Sequence, residues 1–218
     1  MASKKVLFVL FSTLAIAIGL YPLFMLFMGL HFDLFNSKST ALLADALWNI
    51  SFYTHISLGG IALLIGWTGF SKKLRTKNIE IHRNIGKAYI AAVLLSAIGG
   101  IYIGFFATGG IITSTGFISL GIIWFFTTWK AYQFAKAKNI IAHRKMMIYS
   151  YAACFAAVTL RLWMPLLLII FNDFDIAYKI VAWLCWVPNL YVAHLIISKQ
   201  KSNSPIKDRV SLSSIKKF

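Results

Sequence analysis

The chain of 218 residues is 59% hydrophobic, 16% aromatic and only 13% charged, with a mean hydropathy of +0.75, which is too apolar for an ordinary soluble domain. Its formal charge of +16 would suit nucleic acid only as a basic face on a soluble fold. Here the basic residues punctuate long apolar runs, so nucleic acid is set aside as a partner and the membrane is the expected solvent.

Crossing the hydrocarbon takes about 20 apolar residues in a helix, and six stretches supply them. The first, Val6 to Leu30, follows Met-Ala-Ser-Lys-Lys. It is longer than the apolar core of a cleavable signal peptide and has no convincing small-x-small site, which predicts a retained membrane helix. A polar loop from His31 to Thr40 leads to the second stretch, Leu47 to Phe70, which carries His55, Gly59, Gly60 and Gly66. The third, Ile85 to Ala107, contains Gly99, Gly100 and Gly104; small residues at such spacing permit close helix approach. The fourth is Ile111 to Ala131, with an aromatic cluster at Trp124, Phe125 and Phe126. The fifth, Met146 to Phe171, holds Arg161, and the sixth, Ile176 to Ile197, holds Pro188-Asn189, with Asn189 expected to bond a neighbouring helix. Cys154 and Cys185 lie inside apolar runs with no C-x-x-C pair, so neither a zinc site nor a disulfide framework is indicated.

The prediction is an all-α integral membrane protein of six transmembrane helices. Residues 1–199 form the membrane domain, and 200–218 form a basic, flexible tail. An even number of spans puts both termini on one side. Apart from Lys38, Arg161 and Lys179, all of the 22 Lys and Arg fall on that side, which makes it cytoplasmic. Anionic lipid headgroups are the expected partners of its basic loops.

One motif occurs twice. Lys77 to Arg83 reads KNIEIHR, and Lys138 to Arg144 reads KNIIAHR. Both are placed in cytoplasmic loops running straight into a span, the third and the fifth, so His82 and His143 should share one depth. The two units cross the membrane in the same sense, which suggests a partly duplicated helix-hairpin core. On the plainer reading, Asn78 and Asn139 cap short interfacial helices, Arg83 and Arg144 reach lipid phosphates, and the histidines are merely interfacial. On the sharper one, His82 and His143 ligate a single haem b, with Arg83 and Arg144 facing its propionates, or they hold a quinone headgroup. His194 stands near the same level. A second haem is not expected, because His55 is the one histidine in the outer half of the bundle and His31 belongs to a loop.

Arg161 is the most expensive residue of the chain to place. Counted from the outer end of its span it lies roughly 15 Å deep at 1.5 Å per residue, and His55 lies slightly shallower. An intramembrane arginine faces either the bundle interior with a partner or snorkels to headgroups. No acid occupies the middle of any span. A cavity lined by His55, Arg161 and Tyr53 could therefore hold a small anion, a carboxylate or a lipid headgroup, while a proton-driven pump is disfavoured.

His55 with Gly59 and Gly60, His82-Arg83-x-x-Gly86-Lys87-x-Tyr89, His143-Arg144-x-Met146-Met147, Thr159-Leu160-Arg161-Leu162 and Trp186-Val187-Pro188-Asn189 together resemble a bacterial multi-helix membrane protein family, domain of unknown function 2306. The resemblance spans about residues 47 to 195. It implies a multi-pass protein of a bacterial inner membrane and singles out His55, His82, Arg83, His143, Arg144 and Arg161. Haem b membrane cytochromes offer a looser analogy, in histidines near helix ends. Two functions stand at this point. One is a haem b or quinone redox site at the cytoplasmic histidines. The other is a non-redox protein that binds or transports a small anionic or lipid ligand, or serves as a subunit of a homo-oligomer or larger membrane complex.

Overall fold

The computed structural model describes residues 2–28, 35 and 37–202. His31 and the tail from 203 onward lie outside the described residues. In chain order the helices are α1 (Ala2–Met28), α2 (Thr40–Ala44), α3 (Ala46–Gly66), α4 (Lys72–Lys77), α5 (Ile79–Gly104), α6 (Gly110–Lys136), α7 (Ile140–Cys154), α8 (Ala156–Phe171), α9 (Phe174–Leu184) and α10 (Val187–Ser202), with a 3-10 turn over Trp67–Phe70. Six spans among the described residues are long and apolar enough to cross a membrane: Val6–Phe24, Ala46–Phe70, Ile79–Gly104, Gly110–Lys136, Ile140–Phe171 and Phe174–Gln200. The expected six-helix, all-α architecture is therefore the observed one.

Two boundaries differ from expectation. The repeated heptapeptides are not loops, because α5 begins at Ile79 and α7 at Ile140. Asn78 accepts a hydrogen bond from the Ile81 amide at 3.0 Å, and Asn139 accepts one from Ala142 at 3.1 Å. Each asparagine thus caps the long membrane helix itself, a contribution of about 1 kcal/mol. His82 and His143 consequently sit in the first helical turn of two spans. The last two spans are also each built from two helices. Pro188 has no N–H to offer the Leu184 carbonyl, and the helix stops at Leu184 and restarts at Val187. At Phe155 the chain tightens by one turn, with the Val158 amide bonding the Phe155 carbonyl at 2.9 Å.

The bundle is assembled from neighbours in sequence. α3 packs along α5, α5 along α6, and α6 along α7, while α1 lies against α3 and α9 fills the angle between α8 and α6. The two repeat-bearing hairpins, α3/α5 and α6/α7, are thus adjacent. Their connections are unlike: the first carries the 3-10 turn and α4, whereas the second is a tight turn with Lys138 at φ 59°. The central core joins Leu63, Tyr89, Val93, Trp124, Tyr151, Cys154 and Val158. A second core joins Leu167, Val181, Cys185 and Trp186. Large apolar side chains such as Ile111, Ile169 and Tyr191 point outward, as expected where lipid rather than water surrounds the helices.

At the end opposite the basic loops, Lys38 donates to the Phe106 carbonyl and, at 2.9 Å, to Thr108 Oγ1, which also bonds Ser37 Oγ at 2.9 Å. This clasp ties the segment before α2 to the carboxyl end of α5, where a cation suits the helix dipole. Burial lowers the Lys38 pKa below the ordinary 10.5. Between the two values the folded chain binds fewer protons than the unfolded one, so the Lys38 contribution makes stability rise with pH up to about 10.5. Replacing Lys38 by Met should flatten that slope in thermal melts recorded across alkaline pH.

Gly60 marks the closest approach of α1 and α3. A Cβ there would meet the Gly19 carbonyl oxygen at 2.8 Å and Pro22 Cγ at 3.3 Å, whereas one at Gly86 would meet nothing within 4 Å. Overpacking of this kind costs about 1–3 kcal/mol. Gly60→Val is expected to lower the thermal midpoint in detergent, and Gly86→Ala to leave it unchanged or raise it.

Candidate functional site

The chemically distinctive residues gather at two levels. The first lies within the span of α3, where His55 faces α5. His55 Nδ1 lies 2.9 Å from the Ser96 carbonyl oxygen. A carbonyl only accepts, so Nδ1 carries the proton, and in the neutral ring Nε2 is left as an acceptor. Ser96 Oγ returns a bond to the His55 carbonyl at 2.9 Å, so α3 and α5 are cross-linked in both directions at this point. Missing side chains make the approach possible. A Cβ at Gly99 would meet the Ser51 carbonyl oxygen at 2.7 Å, and one at Gly100 would meet His55 Nδ1 at 2.6 Å.

Arg161, on α8, is close enough to His55 for its charge to act on the imidazole. Its guanidinium lies over the Tyr21 ring, 4.5 Å from the centroid, and Nη1 donates to the Ala157 carbonyl at 3.0 Å. That carbonyl is one turn back toward the break at Phe155, so the side chain runs toward the middle of the span and not toward the nearer end of the span at Phe171. Among the described residues the ion pair is Lys179 with Asp175, and Arg161 is paired with no carboxylate. Tyr53, the expected third member, is 38% exposed and turns an edge to Phe52. Tyr21 takes that place. Sequence reasoning missed it, and the one signal available was its position next to Pro22 in the first apolar run.

Arg161 is positioned by the two broken spans. Thr159 donates to the Cys185 carbonyl and accepts from Asn189 Nδ2 at 3.1 Å, while Asn189 also donates to the Cys185 carbonyl at 2.9 Å. Asn189 further approaches the Ala152 carbonyl at 3.4 Å. Carbonyls loosened at the breaks are thereby satisfied inside the bundle. Thr159 and Asn189 in the sequence motifs thus secure the fold beside the charge, and the expectation that Asn189 bonds a neighbouring helix is met.

The second level is the basic end of the bundle. His143 Nδ1 lies 2.8 Å from the Ala131 carbonyl oxygen on α6, so it too is the protonated nitrogen, and Nε2 is left free. His82 is half-buried and has Arg75, His143 and Arg83 as neighbours. Arg75 itself donates to the Gly69 carbonyl at 3.1 Å. The two histidines of the repeated motif lie near each other, but their surroundings are not equivalent. Arg83 and Arg144 are exposed. His194 is also exposed and pairs with Tyr149 Oη at 3.0 Å. Among the described residues no three His, Cys, Asp or Glu side chains converge in a metal-binding group.

A family model described as "Predicted membrane protein (DUF2306)" matches residues 52–197. No curated protein and no solved structure gives a significant match. The matched range contains His55, His82, His143 and Arg161, and it begins after α1, which supplies Tyr21.

Because a methyl group at Gly100 would collide with His55 Nδ1, Gly100→Ala is expected to break the His55–Ser96 bond. Ring-nitrogen NMR of histidine-labelled protein should show the protonated Nδ1 of His55 in the parent and its loss in the variant, with the His143 signal unmoved.

Proposed function

The chain belongs to the DUF2306 family of predicted membrane proteins, and we propose that it binds a small anionic group, free or as a lipid headgroup, at the His55–Arg161–Tyr21 level of the bundle. One observation carries this reading: the Arg161 guanidinium is directed toward the interior of its span and, among the described residues, has no carboxylate beside it. A cation in low dielectric without a counter-charge is costly, and in membrane proteins such residues face a ligand path or find a partner. The Tyr21 ring face offsets part of that cost, by about 0.5–2 kcal/mol. An oxyanion would supply the remainder, accepting from the guanidinium. His55, held by Ser96 with Nδ1 protonated, would offer Nε2 to an O–H of the same ligand. In this reading the protein sits in the inner membrane of a bacterium, with its basic end at the cytoplasmic face.

A second reading is favoured by His143. Its Nδ1–H is committed to a backbone carbonyl, the arrangement that orients a ligating imidazole and leaves Nε2 for a metal. With His82 beside it, and Arg83 and Arg144 nearby for anionic substituents, this end would take a haem b or a quinone headgroup.

Two measurements separate the readings. Native mass spectrometry of protein purified with phosphatidic acid, and separately with inorganic phosphate, should show adducts that fall at least about tenfold in Arg161→Gln, the scale of 1.4 kcal/mol. Adducts equal in parent and variant would overturn the anion site. A dithionite-reduced minus oxidised spectrum of haem-supplied protein should be featureless on the first reading. Haem b bands lost in both His82→Ala and His143→Ala would establish the second.

A further inference from the structure

The repeated heptapeptides set two helices in register. Tyr89 of α5 and Ser150 of α7, 61 residues apart, bond through Oη and Oγ at 2.8 Å. The same offset relates the caps Asn78 and Asn139 and the histidines His82 and His143. Each histidine precedes the bonded residue by seven positions, two helical turns, and so shares its face about 10 Å nearer the basic end. Because α3, α5, α6 and α7 pack as a ring in which α5 and α7 stand opposite, the two histidines flank the mouth of a gap floored by the Tyr89–Ser150 bond, near each other. That gap is open. Gly86 lies one turn in from His82 and two turns before Val93, which is 0% exposed in the core, so it belongs to the inward face of α5. A Cβ at Gly86 would meet nothing within 4 Å, whereas one at Gly66, beside the floor, would strike the Tyr151 ring at 2.5 Å and the Tyr89 ring at 2.7 Å.

The mouth of the gap is cationic. Arg75 and Arg83 stand beside His82. Arg75 is half-buried and held by the Gly69 carbonyl through Nη1, and His143 is held by the Ala131 carbonyl through Nδ1. The remaining guanidinium donors and the His143 Nε2 stay uncommitted. Glu80, the acid of this end among the described residues, is exposed and enters no ion pair. We propose that the gap binds a terminal phosphate group, carried by a lipid of the leaflet at the basic end or free in solution. Its three oxygens match donors arriving from α4, α5 and α7 better than the two of a carboxylate, and a guanidinium fork pairs with phosphate bidentately. An imidazole meets a phosphate oxygen equally well whether the shared proton sits on nitrogen or oxygen. The cations around His82 favour an anion here over the iron of a haem. This site shares no residue with the His55–Arg161–Tyr21 level and does not rest on it.

The test is ring-nitrogen NMR of the full-length, histidine-labelled protein in micelles, titrated with inorganic phosphate and separately with phosphatidic acid, against chloride at equal ionic strength. A saturable shift of the His82 and His143 signals is the expected result. The apparent affinity read at His143 should fall at least about tenfold in Arg75→Gln and in Gly86→Leu, which fills the gap without removing a charge. It should be unchanged in Arg161→Gln, so this site and the outer one fail separately. Shifts with inorganic phosphate support a free ligand, and shifts with phosphatidic acid alone support a lipid. No shift with either probe overturns the proposal, as does a shift equal in the parent, Arg75→Gln and Gly86→Leu, which would be attraction to a basic surface only.

Discussion

The close approach of α3 and α5 is the contact on which the rest of the bundle depends. Between these helices the Ser51 carbonyl and the His55 ring occupy the space that side chains at Gly99 and Gly100 would fill. With the backbones this near, Ser96 can bond the His55 carbonyl while its own carbonyl takes the His55 ring proton. A titratable side chain deep in a span is thereby fixed in orientation and tautomer by main-chain atoms, which cannot change protonation state. The same proximity places Tyr89, two turns further along α5, against Gly66 of α3 and the Tyr151 ring of α7.

Around that rigid pair the remaining helices are adapted to a solvent that accepts no stray hydrogen bonds. Two spans are broken near their centres, and the carbonyls at each break are answered by Thr159 and Asn189. The break at Phe155 lets α8 depart from the line of α7 and brings Arg161 to Tyr21 of α1. Polar residues inside the bundle thus fall into two kinds. Thr159, Asn189, Ser150 and Thr128 satisfy the backbone or one another. Arg161 differs: its guanidinium rests on the Tyr21 ring and, among the described residues, meets no carboxylate.

The repeated heptapeptide divides in the same way. Asn78 and Asn139 do equivalent work at two helix starts, where an N-cap is the same problem solved twice. His82 and His143 do not. The connection before His143 is short enough for its ring to reach the Ala131 carbonyl of α6, while the longer connection before His82 interposes α4 and Arg75. A duplicated sequence has yielded one pinned imidazole and one set among cations.

Composition and the spacing of apolar runs determined the solvent, the number of spans and the level of each charged or imidazole side chain, because in lipid a long apolar segment has no alternative to helix. Depth is one-dimensional and can be counted along the chain, which is how His82 was expected at the level of His143, and His55 near that of Arg161. Rotation about each helix axis, and the partners it selects, were decided by tertiary packing. Tyr21 rather than Tyr53 meets Arg161 because Gly19 and Pro22 let α1 settle against Gly60. The helix starts at Ile79 and Ile140 were visible in the asparagines, yet a hydropathy threshold, which stops at the first lysines and arginines, moved them several residues inward. The Tyr89–Ser150–Thr128 chain of hydroxyls lay beyond the sequence altogether, since it links three helices in series and only its last member, Thr128, reaches the Trp124 carbonyl.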